Sequence, residues 1–413
     1  VLIDAVIGGR AMGSLLDQYA EVTPLGTVEF LKRLGRLVEG KHMLHVNSTR
    51  FGGGVAEILH RLIPLLEEIG VRSRWEVMTG SEPFYRTTKS FHNALQGMKQ
   101  RLTPDMYDAY VQCNRENAER INLEADVVMI HDPQPAALID ARPRGAKWIW
   151  RCHIDMSTPQ RAVWQFLRPY VVRYDAAVIS LPKFSQRLPI PQFMIYPSID
   201  PLSDKNRELT NVEIQEILDR LGVPRDKPIL LQVSRFDRFK DPVGVVQAYR
   251  MVKKSHDCRL VLAGGTATDD PEGAQVLAEV QEAAGADPDV QILLLPPTAN
   301  IEINALQRAA TIVFQKSIRE GFGLTVAESL WKGKPVIGGA TGGIMMQIIP
   351  GQTGYTVYSP EGAAFYARRL LNEPDRLAVM GQQAKEYARH RFLITRHLQD
   401  YLGLIIHLSK GSV

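Results

Sequence analysis

The chain has 413 residues, 45% hydrophobic and 23% charged, a composition suited to a globular protein with two or three cores. A formal net charge of +4 over that length is too dilute to mark a nucleic-acid or anionic-membrane partner, so neither is expected. The cysteines, Cys113, Cys152 and Cys258, are odd in number and far apart, which excludes a disulfide framework and a cysteine zinc cluster and fits a reducing compartment.

In chain order, residues 1–7 are apolar but broken by Asp4 and too short for a signal core. No apolar run reaches the ~18 residues that span a bilayer. Short apolar runs then recur, each followed by a helical pattern. They lie at 42–48, 127–132, 148–155, 176–180 and 193–197 in the first half. In the second half they lie at 229–236, 259–265, 290–295, 311–317 and 335–340. Unbroken runs such as ILLQV and VVMI read as strands buried on both faces, so parallel sheets with helices on each side are expected. The alternation of strand and helix predicts an α/β, doubly wound architecture. Two series imply two Rossmann-like domains, residues 1–198 with a helical extension and residues 199–385, with prolines marking the seam near Pro197 and Pro201. A long helical pattern covers about 387–409, so 386–413 is read as a terminal helix. Ligands of such sheets bind beyond the carboxyl ends of the strands, which puts a cleft between the domains.

Several segments at those strand ends carry chemistry. After the first run, Gly52, Gly53 and Gly54 precede a helix, where backbone can approach a ligand and free N–H groups face it; a tight strand-to-helix turn is the plainer alternative. His131 and Asp132 end one strand, and His153 and Asp155 end another, where they could bond sugar hydroxyls or simply brace loops. His42 and His45, inside a strand, read as structural. In SRFDRFKD, Arg235 and Lys240 could both reach an anion, or belong to a solvated basic loop. In REGFGLTVAE, Gly321 and Gly323 permit a tight loop before a helix from about 324 to 332. That helix start could hold a phosphate. Glu320 falls on the loop, where it could instead brace Arg319, and Glu328 falls on the helix, where it could be a surface residue. No HExxH, Gly-x-Ser-x-Gly or P-loop pattern is present, and no metal site is expected.

Taken together, EGFGLTVAE, SRFDRFKD and the glycine-rich first loop resemble retaining glycosyltransferases of the GT-B fold, the large family that includes sucrose and glycogen synthases. HVNSTRFGGGVAEIL, FHNALQG, MIHDPQPAAL and WRCHIDMSTP are similar to the trehalose glycosyltransferring synthases in particular. The resemblance implies an acceptor-binding first domain, a nucleotide-sugar-binding second domain, and a terminal helix that returns to the first. It implies that Arg235 and Lys240 hold the donor diphosphate, Glu328 the ribose, and Glu320 the transferred glucose. Backbone at Gly323, Leu324 and Thr325 would meet phosphates and sugar, and Gly53 and Gly54 would approach the ligands. His153 would lie beside the reacting glucose, and Asp132, with His131 and Gln134 of its segment, would hold the acceptor. The expected reaction joins glucose from UDP-, ADP- or GDP-glucose to free glucose, giving trehalose with retention, in the cytoplasm and with no cofactor required for chemistry. Mg2+ stimulation, the preferred base and oligomeric state, a homodimer included, are not legible in the residues. The rival readings are another acceptor, a trehalose phosphorylase, a glycoside hydrolase using Glu320 and Glu328, and a non-catalytic sugar-nucleotide sensor.

Overall fold

A computed structural model describes residues 14–50, 54–265 and 271–410. The apolar start at 1–7 and Gly52 and Gly53 lie outside them. Two six-stranded sheets, each with parallel pairing throughout, organise the chain. The first contains β1 (His42–Asn47), β2 (Arg72–Val77), β3 (Val127–His131), β4 (Lys147–Cys152), β5 (Ala176–Ile179) and β6 (Gln192–Met194) in the order β2-β1-β3-β4-β5-β6. The second contains β7 (Ile229–Val233), β8 (Arg259–Gly264), β9 (Val290–Leu294), β10 (Ile312–Gln315), β11 (Val336–Gly339) and β12 (Gly354–Val357) in the order β12-β11-β10-β7-β8-β9.

The unbroken apolar runs become central strands, because both faces of each sheet are covered. Every residue of β3, β5, β7, β8, β10 and β11 is buried. Each sheet separates two hydrophobic clusters, one under each helical layer. The ten apolar runs account for every strand except β2 and β12. Both are edge strands: RSRWEV carries a charge at every second position and is half-buried, and GYTV is too short to stand out.

Strand order reverses between β1 and β3 in the first sheet and between β7 and β10 in the second. Ligands of doubly wound sheets bind at such switch points, because the flanking loops leave in opposite directions and open a crevice. The loops after β1, β3, β7 and β10 carry the residues singled out in the sequence.

The helical pattern over 387–409 is divided. One helix, Pro374–Arg391, packs on the helix Leu324–Trp331 of the second domain. A new helix, Ile394–Lys410, packs on the helices Thr27–Arg36 and Gly54–Glu68 of the first. The break falls where the chain recrosses between domains. There Ile199 donates to Phe392 O at 2.8 Å and Ile394 donates to Ile199 O at 2.9 Å, so the two crossing segments are hydrogen-bonded to each other. Among the described residues no helix is long and apolar enough to cross a membrane.

Candidate active site

The wall from the second domain is built on a carboxylate. Asp237 caps a short turn, its Oδ1 accepting Phe239 N–H at 2.7 Å, and this turns Lys240 inward. Lys240 Nζ lies 2.6 Å from Glu320 Oε2. The same oxygen accepts from Ser317 Oγ at 3.1 Å and faces Gln315 Nε2 at 3.4 Å. Arg235 extends from the end of β7 with 63% of its side chain exposed, tied among the described residues to Asp237 alone, at 3.1 Å. Arg319 does not pair with Glu320. It donates to Gln96 O of the first domain at 3.0 Å and lies over the Phe239 ring.

The helix Leu324–Trp331 starts at Gly323, whose φ of 82° suits a residue without Cβ, and no side chain caps it. Its first N–H groups are therefore available to an anion. The loop before it is clamped from behind by residues the sequence reading did not single out. Gly343 N–H donates to Gly321 O at 2.7 Å, and buried Gln347 donates to Phe322 O at 2.5 Å. A Cβ at Gly342 would fall 1.7 Å from Glu320 O. The TGG following β11 was the available signal, legible only once its approach to the EGFG loop is known.

The facing wall comes from the first domain. The helix Gly54–Glu68 starts opposite the Leu324 helix, and a Cβ on Gly54 would stand 3.0 Å from Leu324 Cδ1. His153 completes this wall. The cleft between the two walls, about 330 Å³, brings together His153, Gly54, Arg235, Lys240, Glu320 and the Gly323–Thr325 helix start. The sequence had spread these over two domains. Arg235, Lys240 and the free N–H groups of the Leu324 helix start converge on one space, which can stabilise an anion.

Other candidates lie elsewhere. His131 is corrected: it is buried and both its ring nitrogens are taken, one by His45 at 3.0 Å and one by His153 at 3.0 Å, so it has no atom left for an acceptor. Gln134 lines a separate polar recess of about 480 Å³ with Ser48, Tyr85, Lys89 and His92. Asp155 caps its own loop, accepting Ser157 N–H at 2.8 Å. Glu328 is 2% exposed and does not line the cleft. Lys205, unnoticed in the sequence, lies 3.3 Å from Glu328 and 3.4 Å from Glu57 of the first domain, so this triad bridges the domains. Burial opposes the ionised form of Glu328, but the charges of Lys205 and Lys332 outweigh it and hold the carboxyl below its ordinary range. Burial drives Lys332 down to about 7.

Asp132 holds the site from beneath. Its backbone is left-handed, φ 64°, and Oδ1 accepts His153 N–H at 2.7 Å. Oδ2 makes no hydrogen bond among the described residues. Burial raises the carboxyl to about 6. Asp132→Ala should remove this acceptor and the short polar side chain that makes left-handed backbone tolerable, costing about 2 kcal/mol in urea unfolding. Asp132→Asn keeps the acceptor oxygen and tolerates that backbone, so most of the stability should return. Equal losses in both variants would assign the effect to charge instead.

The matches to known proteins follow the same division. Residues 45–186 match the family model "Trehalose synthase, N-terminal domain", and 213–387 match "Glycosyl transferases group 1". The trehalose synthase of Pyrococcus horikoshii is 46% identical over 95% of this chain and 96% of its own length. That of Rubrobacter xylanophilus is 44% identical over 92% of this chain and 93% of its own length. Trehalose phosphorylase of Pleurotus pulmonarius is 30% identical over 96% of this chain but only 61% of its own. Among solved structures, an E. coli trehalose-6-phosphate structure bound with UDP-2-fluoro glucose has a TM-score of 0.71 at 12% identity, covering 88% of this chain and 99% of that one. An Anabaena protein in complex with UDP and glucose has a TM-score of 0.65 at 16% identity, covering 88% and 99%. These last likenesses show the GT-B fold.

Proposed function

Because the chain belongs to the trehalose synthase family of glycosyltransferases, we propose that it transfers glucose from a nucleoside-diphosphate glucose to free glucose. The products are α,α-trehalose and the nucleoside diphosphate, with retention at the donor anomeric carbon. The observation that carries this reading is the cleft in which Arg235, Lys240 and the uncapped Leu324 helix start face His153 and the Gly54 helix start. Breaking the glycosidic bond to a diphosphate leaves negative charge on the phosphate oxygen. Preorganised cations and N–H groups aimed at that oxygen lower the barrier, since they need no reorganisation as the charge develops.

In this scheme the sugar passes through an oxocarbenium-like state, and the acceptor hydroxyl attacks from the face the leaving group occupied. The departing phosphate oxygen takes the hydroxyl's proton. Glu320 is held by Lys240, Ser317 and Gln315 and acts as a binder of the transferred sugar, not as a nucleophile. The scheme routes no step through a metal or cofactor. Glu328 would turn to the ribose hydroxyls, in competition with Lys205. Asp132 Oδ2 would take an acceptor hydroxyl. Closure of the domains on the donor would exclude water, the competing acceptor. The three cysteines are free and buried, and with a nucleotide-sugar substrate they lead us to assign the reaction to the cytoplasm.

The test is incubation with UDP-, ADP- and GDP-glucose plus glucose, followed by identification of the products. Trehalose and free diphosphate from at least one donor are expected. Trehalose cleavage that needs inorganic phosphate and no nucleotide would establish the phosphorylase reading instead. Donor binding without turnover would leave a sensor.

A further inference from the structure

Three histidines from three neighbouring strands form a continuous file into the first domain. His45 lies in β1, His131 ends β3, and His153 follows β4. His45 Nδ1 is 3.0 Å from His131 Nε2, and His131 Nδ1 is 3.0 Å from His153 Nε2. Successive rings are stacked with centroids 5.3 Å apart in both pairs. The deep end is closed by the terminal helix, whose Tyr401 stacks on His45. The shallow end is His153, which lines the cleft.

Such a file has only two consistent states while its rings are neutral. Each neutral imidazole carries one N–H, and each of the two links needs one donor and one acceptor. Either all three rings are protonated at Nδ1 or all three at Nε2. The rings are kept neutral by burial, which drives all three pKa values down, reinforced at His131 and His153 by the buried Arg151 guanidinium.

The ends of the file choose between these states. His45 Nε2 is buried with no protein hydrogen-bond partner. With Nε2 protonation a buried N–H would be orphaned there. With Nδ1 protonation only a lone pair would be, and orphaned buried N–H groups are the rarer kind. At the cleft, the ring atom left over is His153 Nδ1, which has no partner among the described residues. Its neighbours across the cleft are the donors Lys240, Arg235 and the Leu324 helix start, beside the Glu320 carboxylate, which is already bound to Lys240. A space lined with donors receives an oxygen-rich anion, and a lone pair on Nδ1 would repel it.

We infer that His45 and His131 set the tautomer of His153, so that His153 presents an Nδ1–H donor to the cleft. His45 and His131 are then positioning residues that act without touching substrate. The identity of the oxygen that meets this N–H rests on the proposed glucosyl transfer; the tautomer itself does not. Asp132 fixes the other coordinate by holding the His153 backbone N–H at 2.7 Å.

The test is a long-range 1H–15N correlation spectrum of the full chain labelled at histidine, without ligand, near pH 7.5. Protonated and bare nitrogens of a neutral ring differ widely in 15N shift. His45, His131 and His153 should each be protonated at Nδ1 and bare at Nε2. A His153 ring protonated at Nε2, or at both nitrogens, would overturn the inference. His45→Leu removes the donor to His131 and should split His153 between tautomers, lowering kcat/KM for the nucleotide sugar about tenfold, the effect of weakening one charge-assisted hydrogen bond. His45→Asn puts an amide N–H where Nδ1 sits and should restore most of the loss. If both variants lose activity equally while His153 keeps its wild-type tautomer, His45 is merely structural and the inference fails. Should His45→Leu not fold, the wild-type spectrum decides alone. A protein with these tautomers that transfers no glucose would sink the proposed function and uphold this inference.

Discussion

Replacing Lys240 or Arg235 by alanine should lower kcat for glucosyl transfer about a hundredfold, the roughly 3 kcal/mol that one preorganised donor supplies to a developing oxyanion. The two side chains face the cleft from the end of β7, across from the first domain. Their charge is needed most when the leaving phosphate gains charge, so its loss should slow chemistry as well as weaken binding. The fold should survive. Arg235 is mostly exposed and among the described residues is tied only to Asp237, an arrangement that contributes little to stability. Removal of Lys240 leaves Glu320 with Ser317 and Gln315 still in reach. Thermal unfolding beside steady-state kinetics checks both halves. Folded variants that transfer glucose at the wild-type rate would sink the diphosphate clamp. Variants impaired only in nucleotide-independent trehalose cleavage would favour a hydrolase. The structure already weakens that rival, because Glu328 does not line the cleft that holds Glu320 and is bound to Lys205 and Gln307.

The protein should also lose stability steeply on acidification from pH 7 to pH 5. Four histidines, His45, His131, His153 and His397, are held neutral by burial, His45 down to about 3 and the others well below the ordinary value. The unfolded chain takes up protons at these residues below its ordinary histidine pKa of about 6.5, and the folded chain does not. The unfolded state then binds more protons, so stability is fully present above that pH and falls as pH drops through it. Each histidine contributes at most about 1.4 kcal/mol per pH unit. His45, His131 and His397 should contribute most, since His153 borders the cleft. Asp132 works in the opposite direction. Its folded pKa is raised to about 6, so protonation between about 4 and 6 favours the folded state. Glu57, which burial also raises, acts the same way, and these two carboxyls do not offset three or four imidazoles. Melting temperatures at pH 7, 6 and 5 in one buffer of constant ionic strength measure the balance. A flat profile would show that these rings take up protons without unfolding.

Parts of this molecule are local in sequence and were legible there. A strand buried on both faces must be an unbroken apolar run, so ILLQV and VVMI announced central strands of parallel sheets. The EGFGLTVAE stretch holds its own instructions: Gly323 takes a left-handed turn and the helix starts at the next residue. The Arg235 and Lys240 segment directly follows a buried strand, so its place beyond a sheet edge followed from order alone.

What the tertiary structure alone decided depends on residues that meet only after folding. RSRWEV of β2 is half-buried with a charge at every second position, and GYTV of β12 is only four residues, so neither carries a continuous apolar signal. Ile199 and Phe392 must meet where the chain recrosses before the terminal helix can be seen to start afresh at Ile394. Glu328 could be read from sequence as a ligand-binding or a surface carboxylate, and neither reading shows that it is buried against Lys205, which comes from a segment with no motif. His45 read as structural and His131 as acceptor-binding, because the contacts of both depend on strand order. Only when β1, β3 and β4 lie side by side do the three rings come within hydrogen-bonding distance, and no spacing along the chain encodes that adjacency.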